Sequence, residues 1–282
     1  DLLIEQLHKT IKDRKPWVRF GVSPFGIWRN KRTDPKGSES TGLQNYDDLY
    51  ADVLLWAKNG WIDYLAPQLY WNLDTPAAPS RKLAKWWNDN ASDVDIYIGQ
   101  DVKRTMDVAD PGNKDKNELD TKVRLSRKLP NIGGNIWWHG YWVTGNYKGA
   151  ADSLAMKYQS TIALPPAYGD PDMRPANVTD IRIEKEGDRK YLVWSAPEHG
   201  HGGHETDAVR FVVYEFYSGE KQDIEDPQAI VALTPYRKML IDPDAQGVTY
   251  AVTALDRMNR ESEPIFLYLS LIHISEPTRP IS

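Results

Sequence analysis

Trp61-Ile62-Asp63-Tyr64-Leu65-Ala66-Pro67-Gln68-Leu69-Tyr70-Trp71 is a largely apolar run that ends in Gln-Leu-Tyr-Trp, with Asn72 and Asp74 following at once. Its composition and length predict a buried strand. Before it, residues 46–59 carry Leu49, Val53, Leu54 and Trp56 at helical spacing and stop at Gly60, so a helix leads into the strand. The same order recurs on either side. A helical pattern over 1–12 precedes a strand over 17–23. Helices over 80–90 and 118–129 precede strands over 95–100 and 134–138, and a last helix is predicted over 148–162. Ser80 reads as an N-cap and Gly60 as a C-terminal stop. Strands alternating with helices imply a parallel sheet with helices packed outside it.

Four such units fit either a small open sheet or half of an eight-stranded barrel, where chemistry sits at the C-terminal strand ends. The chain opens at Asp1 inside a helical pattern and without an initiator Met. That favours the C-terminal half of a (β/α)8 barrel whose N-terminal part is missing, and it makes the lack of a targeting signal uninformative. The tryptophans agree with a mouth at the strand ends. Of the 11 in the chain, only Trp194 lies beyond position 142. Trp28-Arg29-Asn30 and Trp137-Trp138-His139-Gly140-Tyr141-Trp142 close two other strand-like runs. Flat aromatic faces beside amide and guanidinium donors suit sugar rings, although each tryptophan taken singly also suits a core.

The chain has 282 residues, 40% hydrophobic and 27% charged, with a formal net charge of -5 and no basic block. It is a globular chain with material for a sizeable core. The charge argues against nucleic acid or an anionic membrane surface as a partner and fits a neutral substrate. The absence of cysteine excludes disulfides, a thiol nucleophile and cysteine-ligated metal. No stretch approaches the roughly 20 apolar residues of a membrane span. Phosphate-binding glycine loops, dinucleotide fingerprints and nucleophile elbows are missing, and no cofactor is implied.

Past residue 164 the grammar changes. Residues 165–175 are dense in Pro and Gly and read as a linker. Short strands follow over 178–184, 190–194, 211–217, 229–233, 237–241 and 249–256, as in an antiparallel β-sandwich over 176–266. The remainder, 267–282, departs from that pattern. Its Ser270-Leu271-Ile272-His273-Ile274-Ser275-Glu276-Pro277-Thr278-Arg279-Pro280 resembles translated sequencing-adaptor sequence, so this tail is read as non-native.

Candidate chemistry is concentrated in the first domain. The long loop over 29–41 holds Arg29, Asn30, Arg32 and Asp34. It reads either as a substrate rim or as Arg29 and Asp34 bracing each other. Gln68 and Tyr70 share a strand face, where they could orient a hydroxyl or acetamido group, or Gln68 could satisfy buried backbone. Glycoside hydrolysis usually needs two carboxylates across the scissile bond. Asp34, Glu39, Asp47, Asp74 and Asp101 lie near the predicted mouths, none in a motif that marks a catalytic acid. His199, His201 and His204 make a Gly-spaced run that a sandwich loop explains better than a metal site.

With these residues in view, the chain resembles the bacterial glycosyl-hydrolase-like family ten, envelope glycosidases with TIM barrels. The match rests on Arg19-Phe20-Gly21-Val22-Ser23-Pro24, Trp28-Arg29-Asn30, Asp34-Pro35-Lys36-Gly37-Ser38, Tyr46-Asp47 and Tyr50-Ala51-Asp52. It continues through Asp63 to Trp71, Leu83-Ala84-Lys85-Trp86-Trp87 and Tyr97-Ile98-Gly99. Downstream, Pro175-Ala176-Asn177-Val178, Trp194, Val213-Tyr214 and Tyr250 to Asp256 resemble a fibronectin type III module. The resemblance implies an α/β plus all-β chain: 1–164 as the C-terminal half of a (β/α)8 barrel, then a fibronectin type III-like sandwich. It implies a hydrolase acting on peptide-free peptidoglycan strands in the cell envelope, as a periplasmic or outer-membrane lipoprotein, or secreted. Any membrane attachment would come through a lipid anchor in the missing N-terminus. Sugar-binding roles would fall to Trp28, Arg29, Asn30, Gln68, Tyr70, Trp71, Gln100 and Trp138, and an acid or electrostatic role to Asp34. The likeliest family acid belongs to the absent half. The rival reading is a non-catalytic carbohydrate-binding or adhesion protein with an inactive barrel.

Overall fold

A computed structural model describes residues 1–197 and 204–269, and the chain divides into two units, Asp1–Tyr158 and Gln159–Ser282. In the first unit, α1 (Leu2–Arg14), β1 (Gly21–Val22), α2 (Asn45–Leu49), α3 (Val53–Lys58) and β2 (Tyr64–Leu65) come first. They are followed by α4 (Ser80–Asn90), β3 (Asp95–Asp101), α5 (Val102–Asp107), the hairpin β4 (Ala109–Asp110) and β5 (Asn113–Asn117), and α6 (Leu119–Lys128). Then come β6 (Ile132–Trp138), α7 (Gly140–Thr144) and α8 (Ala150–Lys157). One sheet runs β1-β2-β3-β6, parallel throughout. Bridges Phe25 to Gln68 and Gln68 to Gly99 carry the pairing past the formal strand ends.

The strands expected over 17–23 and 62–70 are formal strands for only two residues each, β1 and β2. Three further local features depart from the expected pattern. The helix expected over 46–59 is two helices, because Tyr50 adopts a left-handed conformation (φ 54°) and Asp52 then caps α3 by accepting from Leu55 N. Helix α5 and the β4–β5 hairpin form in a stretch where the sequence pattern predicts neither helix nor strand. The helix expected over 148–162 starts at Ala150 and ends at Lys157, after the left-handed Lys148 and Gly149.

The sheet has two unlike faces. Leu65, Leu69, Ile96, Ile98 and Ile132 pack with Trp56, Leu83 and Trp87 in one cluster under the helices. Trp87 is fully buried, and its indole donates to the Gly26 carbonyl at 2.8 Å. Strand alternation turns Tyr64, Tyr97, Gln68 and Tyr70 to the other side, and a register shift after Ile132 in β6 brings Ile136 and Trp138 there too. There Tyr64 and Tyr97 meet edge to face at 5.9 Å, while Ile136 and Trp138 are exposed. Parallel sheets are ordinarily covered on both faces; here the helices cover one. Gly21 is required at its position, because a Cβ would lie 2.3 Å from the Tyr64 ring.

The second unit holds β7 (Thr179–Glu186), β8 (Arg189–Ser195), β9 (Arg210–Tyr217), β10 (Ile230–Thr234), β11 (Lys238–Ile241), β12 (Val248–Leu255) and β13 (Ile265–Tyr268). Antiparallel sheets β11-β8-β7 and β10-β9-β12-β13 contribute Leu192 and Trp194 from one side, and Phe211, Val213, Tyr250 and Val252 from the other, to one core. This is a sandwich. Residues 165–175 form neither helix nor strand, but they are tied to the sandwich: Tyr168 N donates to the Met258 carbonyl, and Arg260 Nη1 to the Asp170 carbonyl. Strand β13 corrects one boundary. Leu267 and Tyr268 fall in the tail by sequence, yet they pair with Tyr250 and Thr249, and Leu267 packs on the core. The adaptor-like run 270–282 lies outside the described residues.

Trp87→Ala should destabilise the first unit by about 3–5 kcal/mol, combining lost burial with an orphaned Gly26 carbonyl. Urea unfolding followed by far-ultraviolet circular dichroism checks this.

Candidate functional site

The C-terminal ends of β2, β3 and β6 meet at a cleft of about 510 Å³, lined by Trp71, Asn72, Asp101, Arg104, Trp138 and Trp142 among others. Trp71 follows the β2 run, Asp101 is the last residue of β3 and Trp138 the last of β6, and Asp101 and Trp138 are register partners. Tyr70 stacks on Trp138 with centroids 6.3 Å apart and planes 18° from parallel. Burial, and then the charge of Asp101, push the Tyr70 hydroxyl above its ordinary value. Trp138 is 54% exposed, so one aromatic face is offered to solvent. Behind Trp71 the backbone comes close: a Cβ on Gly26 would lie 2.6 Å from the Trp71 ring and 2.7 Å from the Gln68 carbonyl. Only glycine lets that loop pass.

The sequence-predicted residues divide between this cleft and elsewhere. Trp71, Trp138 and, through its stack, Tyr70 belong to it. Gln68 lies on the same sheet face and donates to the Ser23 carbonyl at 3.0 Å and its hydroxyl at 3.3 Å, which ties β2 to β1. Gln100 is buried and points to the helices, donating to Asn135 Oδ1, which also accepts from Ser126 of α6. One residue of strand alternation separates it from the cleft face that Asp101 occupies.

The loop group also stands apart from the cleft. Trp28 is buried in the helix-side core, stacked on Trp86 at 5.7 Å. Arg29 makes a bidentate pair with Asp47, both bonds 2.8 Å, and a third bond to Asp34 at 2.6 Å. Those partners hold its guanidinium above its ordinary value, Asp47 most strongly. Asp34 also accepts from Lys36 N. Asn30 is 1% exposed, with its side chain bonded to the Gly42 carbonyl and to Ser40. Arg29 and Asn30 brace the loop because their side-chain polar atoms already have partners, within it at Asp34 and Ser40 and beside it at Asp47 and Gly42.

The other mouth carboxylates are sorted the same way. Glu39 pairs with Lys82 and Lys31, and Asp74 with Arg81. Asp101 alone of the five lines the cleft. Its Oδ1 caps α5 by accepting from Arg104 N at 2.9 Å, and its Oδ2 is 3.7 Å from Arg104 Nε. Asp107, absent from the sequence candidates because it sits in the unanticipated α5, lines the cleft too. It is bound by Lys103, by Lys148 at 2.6 Å and by the Tyr147 hydroxyl at 2.8 Å. Those three donors, Lys103 first, hold its carboxyl far below the ordinary range. Among the described residues no group of three His, Asp or Glu is arranged to hold a metal ion. His199 and His201 lie outside the described residues, and His204 Nδ1 is 2.9 Å from Asp207. No described helix is long and apolar enough to cross a membrane.

Residues 1–118 match the family model Glycosyl hydrolase-like 10. Glycosyl hydrolase YngK of Bacillus subtilis (strain 168) is 33% identical over 270 residues, covering 93% of this chain and 52% of YngK. Glycosyl hydrolase DigH of Escherichia coli (strain K12) is 39% identical over 144 residues, 48% of this chain and 32% of DigH. The chain thus spans about half the length of YngK and a third of DigH. Similarity to solved structures is slight. The Endo-D glycoside hydrolase domain from Streptococcus pneumoniae R6 is 15% identical over 35% of this chain and 15% of that one, with a TM-score of 0.23.

The lowered proton affinity of Asp107 carries a sign. A depressed carboxylate stabilises the fold above its unfolded value, about pH 4, and that contribution is lost as pH falls through the folded value. Asp107→Asn should therefore be less stable than wild type at neutral pH, with the gap closing below about pH 4. Urea midpoints of both proteins measured across pH test this; a gap independent of pH would contradict it.

Proposed function

Because the chain belongs to the glycosyl hydrolase-like 10 family, we propose that it is part of a glycoside hydrolase acting on bacterial cell-wall glycan, in particular peptidoglycan strands freed of their peptides. The observation that carries this reading is the cleft at the strand ends. It has aromatic faces at Trp71 and Trp138, carboxylates at Asp101 and Asp107, and the cations Lys103 and Arg104 beside them. Aromatic faces stack on sugar rings, and a lining that carries both signs of charge suits a polar glycan whose peptide-free lactyl groups end in carboxylates. Such a substrate would place the protein in the cell envelope or outside the cell.

The sheet is read as the C-terminal half of a (β/α)8 barrel. Two features support that: its strands follow one another in order with helices on one side, and its other face carries the aromatic and polar side chains that a barrel would enclose. The three-plus-four-stranded sandwich with Trp194 at its centre supports a fibronectin type III module for the second unit.

In this reading Trp71, Trp138 and Tyr70 bind sugar. Asp101, rather than Asp34, is the carboxylate at the reacting bond, since Asp34 is consumed by Arg29 and its own loop. Hydrolysis calls for a second carboxylate opposite the first, and Asp107 is held by its cations, so the partner would come from the strands completing the barrel. The alternative, a carbohydrate-binding protein without catalysis, is favoured by that single unconsumed carboxylate.

Calorimetric titration with peptide-free glycan strands should show binding that Trp71→Ala and Trp138→Ala each weaken about tenfold. In the protein carrying its complete barrel, release of soluble sugars should be lost in Asp101→Asn with binding kept. Binding without release in the wild type would support the binder, and unchanged affinity in both tryptophan variants would refute the site.

A further inference from the structure

Behind the cleft lies a buried ion pair with no part in the sugar contacts described above. Glu118 stands at the N-terminal boundary of α6, its side chain making no cap bond to the helix, and Lys122 lies one turn along it. Each is 1% exposed, with Nζ 3.5 Å from Glu118 Oε2. Lys122 Nζ donates to the Trp71 carbonyl at 3.0 Å and to Thr105 Oγ1 of α5 at 3.2 Å. Glu118 Oε1 accepts from Leu73 N at 3.0 Å. The two side chains thus take hold of the backbone on both sides of Asn72, in the segment that follows the β2 run, and Trp71 and Asn72 line the cleft. Thr105 is fully buried, so the second anchor of the ammonium sits in the packed interior of α5.

Burying two charges is costly, and an apolar pair of the same volume often packs as well or better. Burial pushes the Lys122 ammonium below its ordinary value, with Glu118 pulling the other way. What the charges supply that an apolar pair cannot is direction: one strong donor and one strong acceptor aimed at backbone groups outside any sheet ladder. No neutral side chain at position 122 would reach both the Trp71 carbonyl and Thr105 with the same donors.

We propose that Lys122 and Glu118 are positioning residues that clamp the Trp71–Leu73 backbone and so fix the Trp71 ring in the cleft wall. The consequence for sugar binding rests on the glycan reading above. The clamp itself does not.

The test uses Glu118→Gln/Lys122→Met in the full chain. It removes both charges, keeps an amide oxygen for Leu73 N and leaves the Trp71 carbonyl without its donor. Chains labelled with 5-fluorotryptophan give one fluorine resonance per tryptophan, and Trp71→Phe identifies the Trp71 line. In the folded double variant the Trp71 line should shift or broaden while the Trp194 line of the second unit stays put. Affinity for a soluble N-acetylglucosamine oligomer should fall about fivefold. An unmoved Trp71 line in the folded double variant overturns the clamp. Should that variant fail to fold, an unmoved line in Thr105→Val, which deletes only the second anchor of the ammonium, does the same. A wild-type chain that ignores the oligomer while the Trp71 line answers to the double substitution supports the clamp and overturns the glycan reading instead.

Discussion

The handedness of the parallel crossover governs the first unit. A strand, a helix and the next parallel strand join almost always in the right-handed sense. With strands in the spatial order β1-β2-β3-β6, every crossover steps the same way, so every helix lands on the same face. That face can then be filled as an ordinary core, with Trp87 and Trp56 over Leu65, Leu69, Ile96 and Ile98. The opposite face keeps Tyr64, Tyr97, Gln68 and Tyr70, and all the strand ends point one way. The cleft exists because the chain arrives at its corner three times, at Trp71, Asp101 and Trp138.

Carboxylates in and around the first unit's strand ends are largely committed. Asp107 belongs to Lys103, Lys148 and Tyr147; Asp34 and Asp47 belong to Arg29; Glu39 and Asp74 belong to cations of their own. Asp101 differs because its partner is a backbone N–H and a guanidinium held at a distance. A carboxylate that caps a helix is oriented without being neutralised, which is the condition for acting on something else.

How much of this was legible in the sequence follows from what each pattern encodes. Helical spacing and Gly60 placed the helices and strands, and Pro-rich 165–175 marked the change of grammar, because periodicity and backbone freedom are local properties. Strand parity is legible, but which parity faces the cleft is set by where the helices pack, so sequence alone does not tell Gln100 on the helix side from Asp101 on the cleft side. The loop after Trp28 reads as a substrate rim or as Arg29 and Asp34 bracing each other, and the second pairing is present; sequence cannot show that Arg29 also closes on Asp47, or Asn30 on Ser40. Asp107 and the Glu118–Lys122 pair were missed for the same reason. Their significance comes from contacts many residues away, with Lys148 and Trp71, and no local spacing announces those. Leu267 and Tyr268 adjoin a foreign-looking run, and their place in the sandwich comes from pairing with β12, which local composition does not encode.

The loop of residues 29–41 has one more consequence. Surface loops of that length ordinarily breathe, and their amide hydrogens exchange quickly. Here Asn30, Ser38 and Ser40 are buried and share their side-chain oxygens, and Asn30 and Ser38 form a bridge of their own. Opening the loop at any of these three breaks hydrogen bonds that the others share. Its exchange should therefore be slow and concerted, like that of a strand, and substitutions there would be tolerated in matched sets more readily than one at a time.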